Sequence, residues 1–467
     1  MKPIILSLFC TALLGFAPIS QAEDLFDERA RQDPLVDGSF SGALSGTQLE
    51  TFRQAGETLF TARFTSADGA GRPMATQAII PTKRKRSVPS QFQRLAGMDS
   101  NSCASCHRDP NPGGAGDFSV NVFVSEGFNQ ADFDTTDPQF SNERNTNHLF
   151  GAGLVELLAR EMTADLQAIR EEALIEARRS GESVTKPLST KGVDFGTIMA
   201  APDGMIDLSG LDGVDTDLVI RPFGHKGVMT SLRQFSVNAA NHHHGMQAVE
   251  RFGSRWTGEA DFDGDGLGNE IGEAEIAALV AWQAGLPAPA RRDDLDAADA
   301  ARVANGERLF SDLGCASCHR PALPLEDLTF IDPGPVDAAG TMRPGEGVDR
   351  RYDLSTAARN LLRDEKGRVM VPLYGDLKRH RIVDQQVDGF GNELLAQRFV
   401  ERDVFQTTEL WGVGSTAPYG HRGDMTTLTE AIEAHGGDAR KPRDAFIELG
   451  EKERSDIVGF LRTLVIR

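Results

Sequence analysis

The stretch Cys103-Ala104-Ser105-Cys106-His107-Arg108 is written twice in this chain of 467 residues, the second time as Cys315-Ala316-Ser317-Cys318-His319-Arg320. Each copy holds Cys-x-x-Cys-His, the pattern of covalent c-type haem attachment. The spacing follows from the chemistry. Two thiols add to the two vinyl groups of one haem, and the adjacent histidine turns under the ring to hold the iron. Cys103, Cys106 and His107 then serve one haem, and Cys315, Cys318 and His319 a second. Two haems point to one-electron or peroxide chemistry. A four-cysteine zinc site is the competing reading. It wants its two pairs about 15–20 residues apart, whereas these pairs begin at Cys103 and Cys315.

A second likeness precedes each copy. Gly56-Glu57-x-Leu59-Phe60 recurs as Gly306-Glu307-x-Leu309-Phe310, each in a helix-like stretch. In the second copy CASCH follows Phe310 closely, as in a compact cytochrome c domain. In the first it starts 43 residues after Phe60. That gap is read as an insertion holding Pro73, Pro81 and the basic run Lys83-Arg84-Lys85-Arg86, itself read as a solvated loop. The expected fold is mainly α, with two cytochrome c-like domains that each carry one covalent haem c. The N-terminal one, 23–286, carries large irregular insertions. Gly285–Asp296, rich in Pro, Ala and charge, is the expected linker, and 297–467 the C-terminal domain. His148–Arg179 reads as one long helix. Ser183–Ile220 reads as loops or short strands. In Lys452–Leu464 the residues Ile457, Phe460, Leu461 and Leu464 keep helical spacing, which suits a terminal helix packed across the first helix of its domain.

Residues 1–22 read as a secretory signal peptide: Lys2, an apolar stretch Pro3–Pro18, then Ser20-Gln21-Ala22 as a small-x-small cleavage site. No membrane span is expected after cleavage, and the periplasm is the expected compartment. Of five cysteines, Cys10 lies in this segment and the other four are in the CASCH strings. No disulfide is then available, and the core and the haems must hold the fold. The formal charge of −20 argues against nucleic acid and anionic lipid as partners. One more motif carries chemistry. Asp261, Asp263 and Asp265, with Gly266 and Asn269, suit a calcium loop. Its twelfth position is Gly272 rather than Glu, so it is not a regular EF-hand.

Thr407–Gly437, reading TTELWGVGSTAPYGHRGDMTTLTEAIEAHGG, resembles the C-terminal segment of the di-haem cytochrome c peroxidases and the related MauG-type enzymes. NSCASCHRDPNPGGAG (101–116) and RNTNHLFGAGLVELL (144–158) are similar to their branch of di-haem oxidoreductases. The resemblance implies that His435 is the sixth ligand of the C-terminal haem, where the family carries Met or Tyr. Imidazole in place of a thioether implies a lower potential. It places His421 near the haems as a supporting residue. It makes the N-terminal haem the peroxide site, with a distal carboxylate that does general acid–base work. The nearest matches are Glu156 and Glu161. On a helix they stand about 140° apart and cannot share one face, and Glu156 is preferred because it follows the family-like GAGLV. For the sixth position of the first haem the candidates are His148, His225 and the run His242-His243-His244, with His244 chosen from the run. The family's tryptophan bridge has no counterpart after Asn145–Leu149, and Trp256, Trp282 and Trp411 are expected to pack in the core. The implied function is a periplasmic, peroxidase-like di-haem oxidoreductase. A small cytochrome c or cupredoxin would feed electrons to the C-terminal haem, and hydrogen peroxide or an organic substrate would react at the N-terminal one. A non-catalytic electron-transfer or sensor cytochrome, and a MauG-like oxidase of a protein or organic substrate, are the alternatives.

Overall fold

The computed structural model describes residues 25–31, 33–38, 40, 42–71, 74–75, 84–85, 100–121, 143–334, 350–393 and 399–467. The expected signal segment lies outside them, as do Lys83 and Arg86. Of Arg84 and Lys85 only the backbone is described, paired antiparallel with Met74–Ala75. Among the described residues no helix is long and apolar enough to cross a membrane.

Helices α1 (Gly46–Thr61), α2 (Ala152–Ser180), α3 (Leu232–Ala239), α4 (Glu273–Gly285), α5 (Ala297–Asp312), α6 (Leu428–Glu433) and α7 (Glu451–Leu461) frame the molecule. Helix α1 buries Leu49, Phe52, Gly56, Leu59 and Phe60, a stripe at steps of three and four. It packs against α4, which is buried on nearly every side. In the same way α5 buries Val303, Gly306, Leu309 and Phe310 and packs against α7. The glycine of the repeated Gly-Glu-x-Leu-Phe explains both crossings. A Cβ at Gly56 would collide with the Ala278 carbonyl, and one at Gly306 with the Asp456 carbonyl. Only a residue without a side chain lets the two backbones approach so closely. The repeat is therefore a helix-crossing device, used once in each half.

Helix α2 matches the long helix read from the sequence. It starts at a left-handed Gly151 and stops at a left-handed Gly181, whose N–H reaches Ala177 O, with Arg178 and Arg179 in the last turn. Ser183–Ile220 is more ordered than expected. Strands β1 (Val184–Thr190), β2 (Val193–Ala200) and β3 (Ile206–Asp207) form an antiparallel sheet in that order. Lys191 and Gly192, both at positive φ, make a two-residue turn of the kind that suits the twist of a hairpin. Alternate residues of β2 are buried.

The core does not respect the expected linker. Leu323, Leu325, Phe330, Val371 and Leu373, all C-terminal to it, share one apolar cluster with Leu154, Leu158 and Leu279. Gly42–Ala43 pairs in parallel with the strand Arg350–Asp353. A smaller cluster of Val303, Phe310, Phe446, Ile457 and Phe460 belongs to the C-terminal part by itself.

Candidate di-haem site

Each CASCH begins as a short 3-10 turn, Cys103–Ser105 and Cys315–Ser317, and both copies are built alike. The histidine ring lies near the phenylalanine of the preceding repeat: Phe60 and His107 centres are 6.0 Å apart, Phe310 and His319 6.3 Å. In each, Nδ1–H donates to a backbone carbonyl from a distant segment, His107 to Asn147 O at 2.8 Å and His319 to Tyr374 O at 3.1 Å. That bond fixes the tautomer and leaves the Nε2 lone pair for a metal. Burial pushes both imidazoles down to about 4, so both are neutral, the ligating form. All four cysteines are free of disulfides. Burial pushes Cys103 up to about 12 and Cys315 up to about 11, the opposite of a reactive redox thiol.

Both units open on one cavity of 1410 Å³, larger than the roughly 300–1,000 Å³ of a single-ligand pocket. His435 stands opposite His319 across it. The ring centres are 6.4 Å apart, and two imidazoles sharing one metal at about 2 Å have centres about 6 Å apart. His435 Nδ1–H donates to Ala431 O at 2.7 Å, so its Nε2 is also left for a metal. It sits just beyond α6, which Thr427 and Glu430 start with a capping box. His421 lines the same cavity. It is buried, and neither ring nitrogen meets a hydrogen-bond partner among the described residues. Burial, then the His225 and Arg144 charges, drive it down to about 2. His225 is 6.4 Å from it, ring to ring, and donates from Nε2 to Asn145 O at 3.0 Å.

Two expectations change. Glu156 is buried but reaches no cavity wall. It ion-pairs with Arg160 and accepts the Leu232 N–H at 2.8 Å, so it ties the start of α3 to α2. Glu161 ion-pairs with Lys191 at 2.5 Å and caps the N–H groups of Glu326 and Asp327. The face of α2 that carries each is turned to protein, and neither carboxylate is placed for peroxide chemistry. His244 has both ring nitrogens engaged, Nδ1 with Ser100 O at 2.9 Å and Nε2 with Cys103 Sγ at 3.4 Å. As in His107, the Nδ1 bond to a carbonyl leaves Nε2 as the nitrogen facing the CASCH unit. His243 lines the same cavity, near the end of a π-helical turn, Ala240–His244, a form that often marks functional sites.

The acidic loop is assembled as a cation site needs. One carboxylate oxygen from each of Asp261, Asp263 and Asp265 lies within 4.8 Å of the others. Asp261 accepts the N–H groups of Gly264 and Gly266 at 2.7 and 3.1 Å. Asn269 contributes a left-handed backbone turn. Buried Glu270, the next residue, is raised well above the usual carboxylate range by burial and by Asp263.

The family described as "Di-haem oxidoreductase, putative peroxidase" matches residues 358–464. No curated protein matches the chain. Among solved structures, hydrazine synthase of Kuenenia stuttgartiensis aligns at 13% identity over 99% of this chain and 100% of its own, with a TM-score of 0.34. A MauG-like protein associated with microbial copper homeostasis aligns at 17% identity over 57% of this chain and 77% of its own, with a TM-score of 0.28. At such scores these likenesses carry no argument.

A di-haem oxidoreductase needs room, axial nitrogens and a sheltered wall, and the residues fit that need. The cavity is lined mostly by apolar side chains, with four imidazoles, His107, His244, His319 and His435, whose Nδ1 atoms are already used. Further groups on its wall left no signal in the sequence. Glu409 lines it and burial pushes its carboxyl up to about 7. His380 lies 3.9 Å from Cys318 Sγ and pairs with Asp376 at 2.8 Å. Burial pulls that imidazole down, yet the bonds and charges of Asp376 and Cys318 together raise it to about 10. Asp376 is four residues from His380, whereas Cys318 is 62 away, and only the fold brings Cys318 to the same wall.

Proposed function

We propose that this chain is a periplasmic di-haem c oxidoreductase of the peroxidase-like kind. In this reading the chain has two cytochrome c-like halves. Electrons enter at the His319 unit and are used at the His107 unit. The observation that carries it is the duplication: two like CASCH units, each with a carbonyl-braced histidine, open on one cavity. When bound, haem supplies one-electron chemistry and an iron position at which peroxide can react. The residues supply the rest. Cys103 and Cys106, and Cys315 and Cys318, anchor the two groups covalently. His107 and His319 would each supply an iron ligand, and His435 a further one at the second site. The apolar wall excludes water, and Glu409, titrating near neutral pH, can hold or release a proton there. A small cytochrome c or cupredoxin is the proposed donor. Calcium bound by Asp261, Asp263, Asp265 and Glu270, next to Asn269, is part of the same proposal.

One observation favours a second reading, a non-catalytic relay or sensor. His243 lines the same cavity as His107, and a ligand there would close the first site as well. Stopped-flow addition of hydrogen peroxide to the half-reduced protein separates the two. The peroxidase reading expects a high-spin ferric fraction before mixing and rapid reoxidation after it. Two fully low-spin haems that ignore peroxide, before and after half-reduction, would sink it.

A further inference from the structure

The two proximal histidines are joined by an unbroken run of covalent and hydrogen bonds. His107 Nδ1–H donates to Asn147 O at 2.8 Å. The next residue, His148, donates from Nε2 to Trp411 O at 2.9 Å. Trp411 is bonded to Leu410, whose N–H reaches Tyr374 O at 3.4 Å and Leu373 O at 3.0 Å. Tyr374 O in turn accepts His319 Nδ1–H at 3.1 Å. Four hydrogen bonds and short lengths of chain thus lead from one iron-binding imidazole to the other. Neither His148 nor Trp411 was singled out by the CASCH pattern.

We propose that His148 is the positioning residue of an inter-haem electron path, bridging the His107 unit to the Trp411 carbonyl of the His319 unit. The proposal rests on the two-haem reading above. One electron leaves the haem held by His319, which is oxidised by one, and reaches the haem held by His107, which is reduced by one. No proton has to cross, and the external redox protein restores the first. Three features suit the role. Tunnelling falls off less steeply through bonds and hydrogen bonds than through van der Waals gaps, and this path crosses none. Burial lowers His148 to about 4, so it remains the neutral donor throughout the physiological range. The approach is also built in. A Cβ at Gly412, where φ is +89°, would stand 3.0 Å from His148 Nε2, and one at Gly151, where φ is +78°, would press into the Trp411 ring. Both positions suit glycine on conformation and on space.

The test uses the intact two-haem protein without peroxide. One electron is injected by photoreduction, and its redistribution between the haems is timed, with the potential of each haem measured alongside. His148→Leu should slow redistribution by about tenfold or more with both haems attached and both potentials unmoved. His148→Gln, which can offer an amide N–H at a similar reach, should recover most of the rate. If His148→Leu keeps the parent rate, or if Leu and Gln lower it equally, the path does not run through this hydrogen bond. If Trp411→Phe slows transfer while His148→Leu does not, the route is the indole ring and the proposal fails. Because no peroxide is used, a chain that fails as a peroxidase can still pass this test. A chain that turns over peroxide can still fail it.

Discussion

His435 shows how much one side chain can decide. Its ring stands 6.4 Å from that of His319 with Nδ1 committed to Ala431 O, which leaves Nε2 for the iron of the second site. Met/His ligation raises haem potential relative to bis-imidazole ligation. His435→Met should therefore raise the midpoint potential of one haem and leave the other in place, as read by spectroelectrochemical titration. An unmoved potential would remove His435 from the ligand set. At this scale the CASCH residues and His435 were legible in the sequence, because their chemistry depends on local spacing or on a contiguous family segment. Glu156 was not. Whether a helical carboxylate meets a cavity or an arginine depends on what packs against its face, and here Arg160 and the Leu232 N–H meet it. Glu409 and His380 were missed because burial sets the protonation of the first, and burial, Asp376 and the distant Cys318 that of the second.

The helices tell a more regular story. Gly-Glu-x-Leu-Phe marks the point where each half brings two helices together, α1 on α4 and α5 on α7. Gly306→Ala would drive a methyl group into the Asp456 carbonyl. Overpacking of this kind costs roughly 1–3 kcal/mol. Thermal unfolding should show a lower midpoint for Gly306→Ala. Gly459, on α7 with nothing within 4 Å of its Cβ position, is the control. There alanine should be neutral or stabilising by about 0.5–1 kcal/mol, because helix propensity rises without a clash. Equal losses at both positions would mean that the close crossing is not what Gly306 serves. The long helix and the terminal helix could be read from their periodicity. The β1–β3 sheet could not be told from loops, because its strands mix polar and apolar residues and its outer strand is only two residues long.

On the scale of the whole molecule, the acidic loop and the two-sided core matter most. Glu270 lies beneath Gly69, where a Cβ would clash with the Glu270 side chain, and it accepts the Gln247 N–H at 2.6 Å. A cation there would relieve the mutual repulsion of Asp261, Asp263, Asp265 and Glu270, and would stabilise the fold through the binding equilibrium. Chelation should lower the thermal midpoint and added calcium restore it, with both haems still attached. A midpoint indifferent to chelator and to calcium would leave the loop as an Asp/Gly turn. The apolar cluster that joins Leu154 and Leu279 to Phe330 and Val371 means that the halves share a core. The shared cavity and the His148–Trp411 contact follow from that sharing.

The sequence by itself determined what is local in the chain: two CASCH strings, the helix repeat before each, the acidic loop and the family-like segment at 407–437. Such features need only neighbouring residues in fixed spacing. The tertiary structure alone decided which face of α2 is buried, which histidine nitrogens are left for a metal, which carboxylates reach the cavity, and how the two units touch. Those outcomes depend on burial and on hydrogen bonds between residues far apart in the chain, such as His148 and Trp411, and no local pattern encodes them.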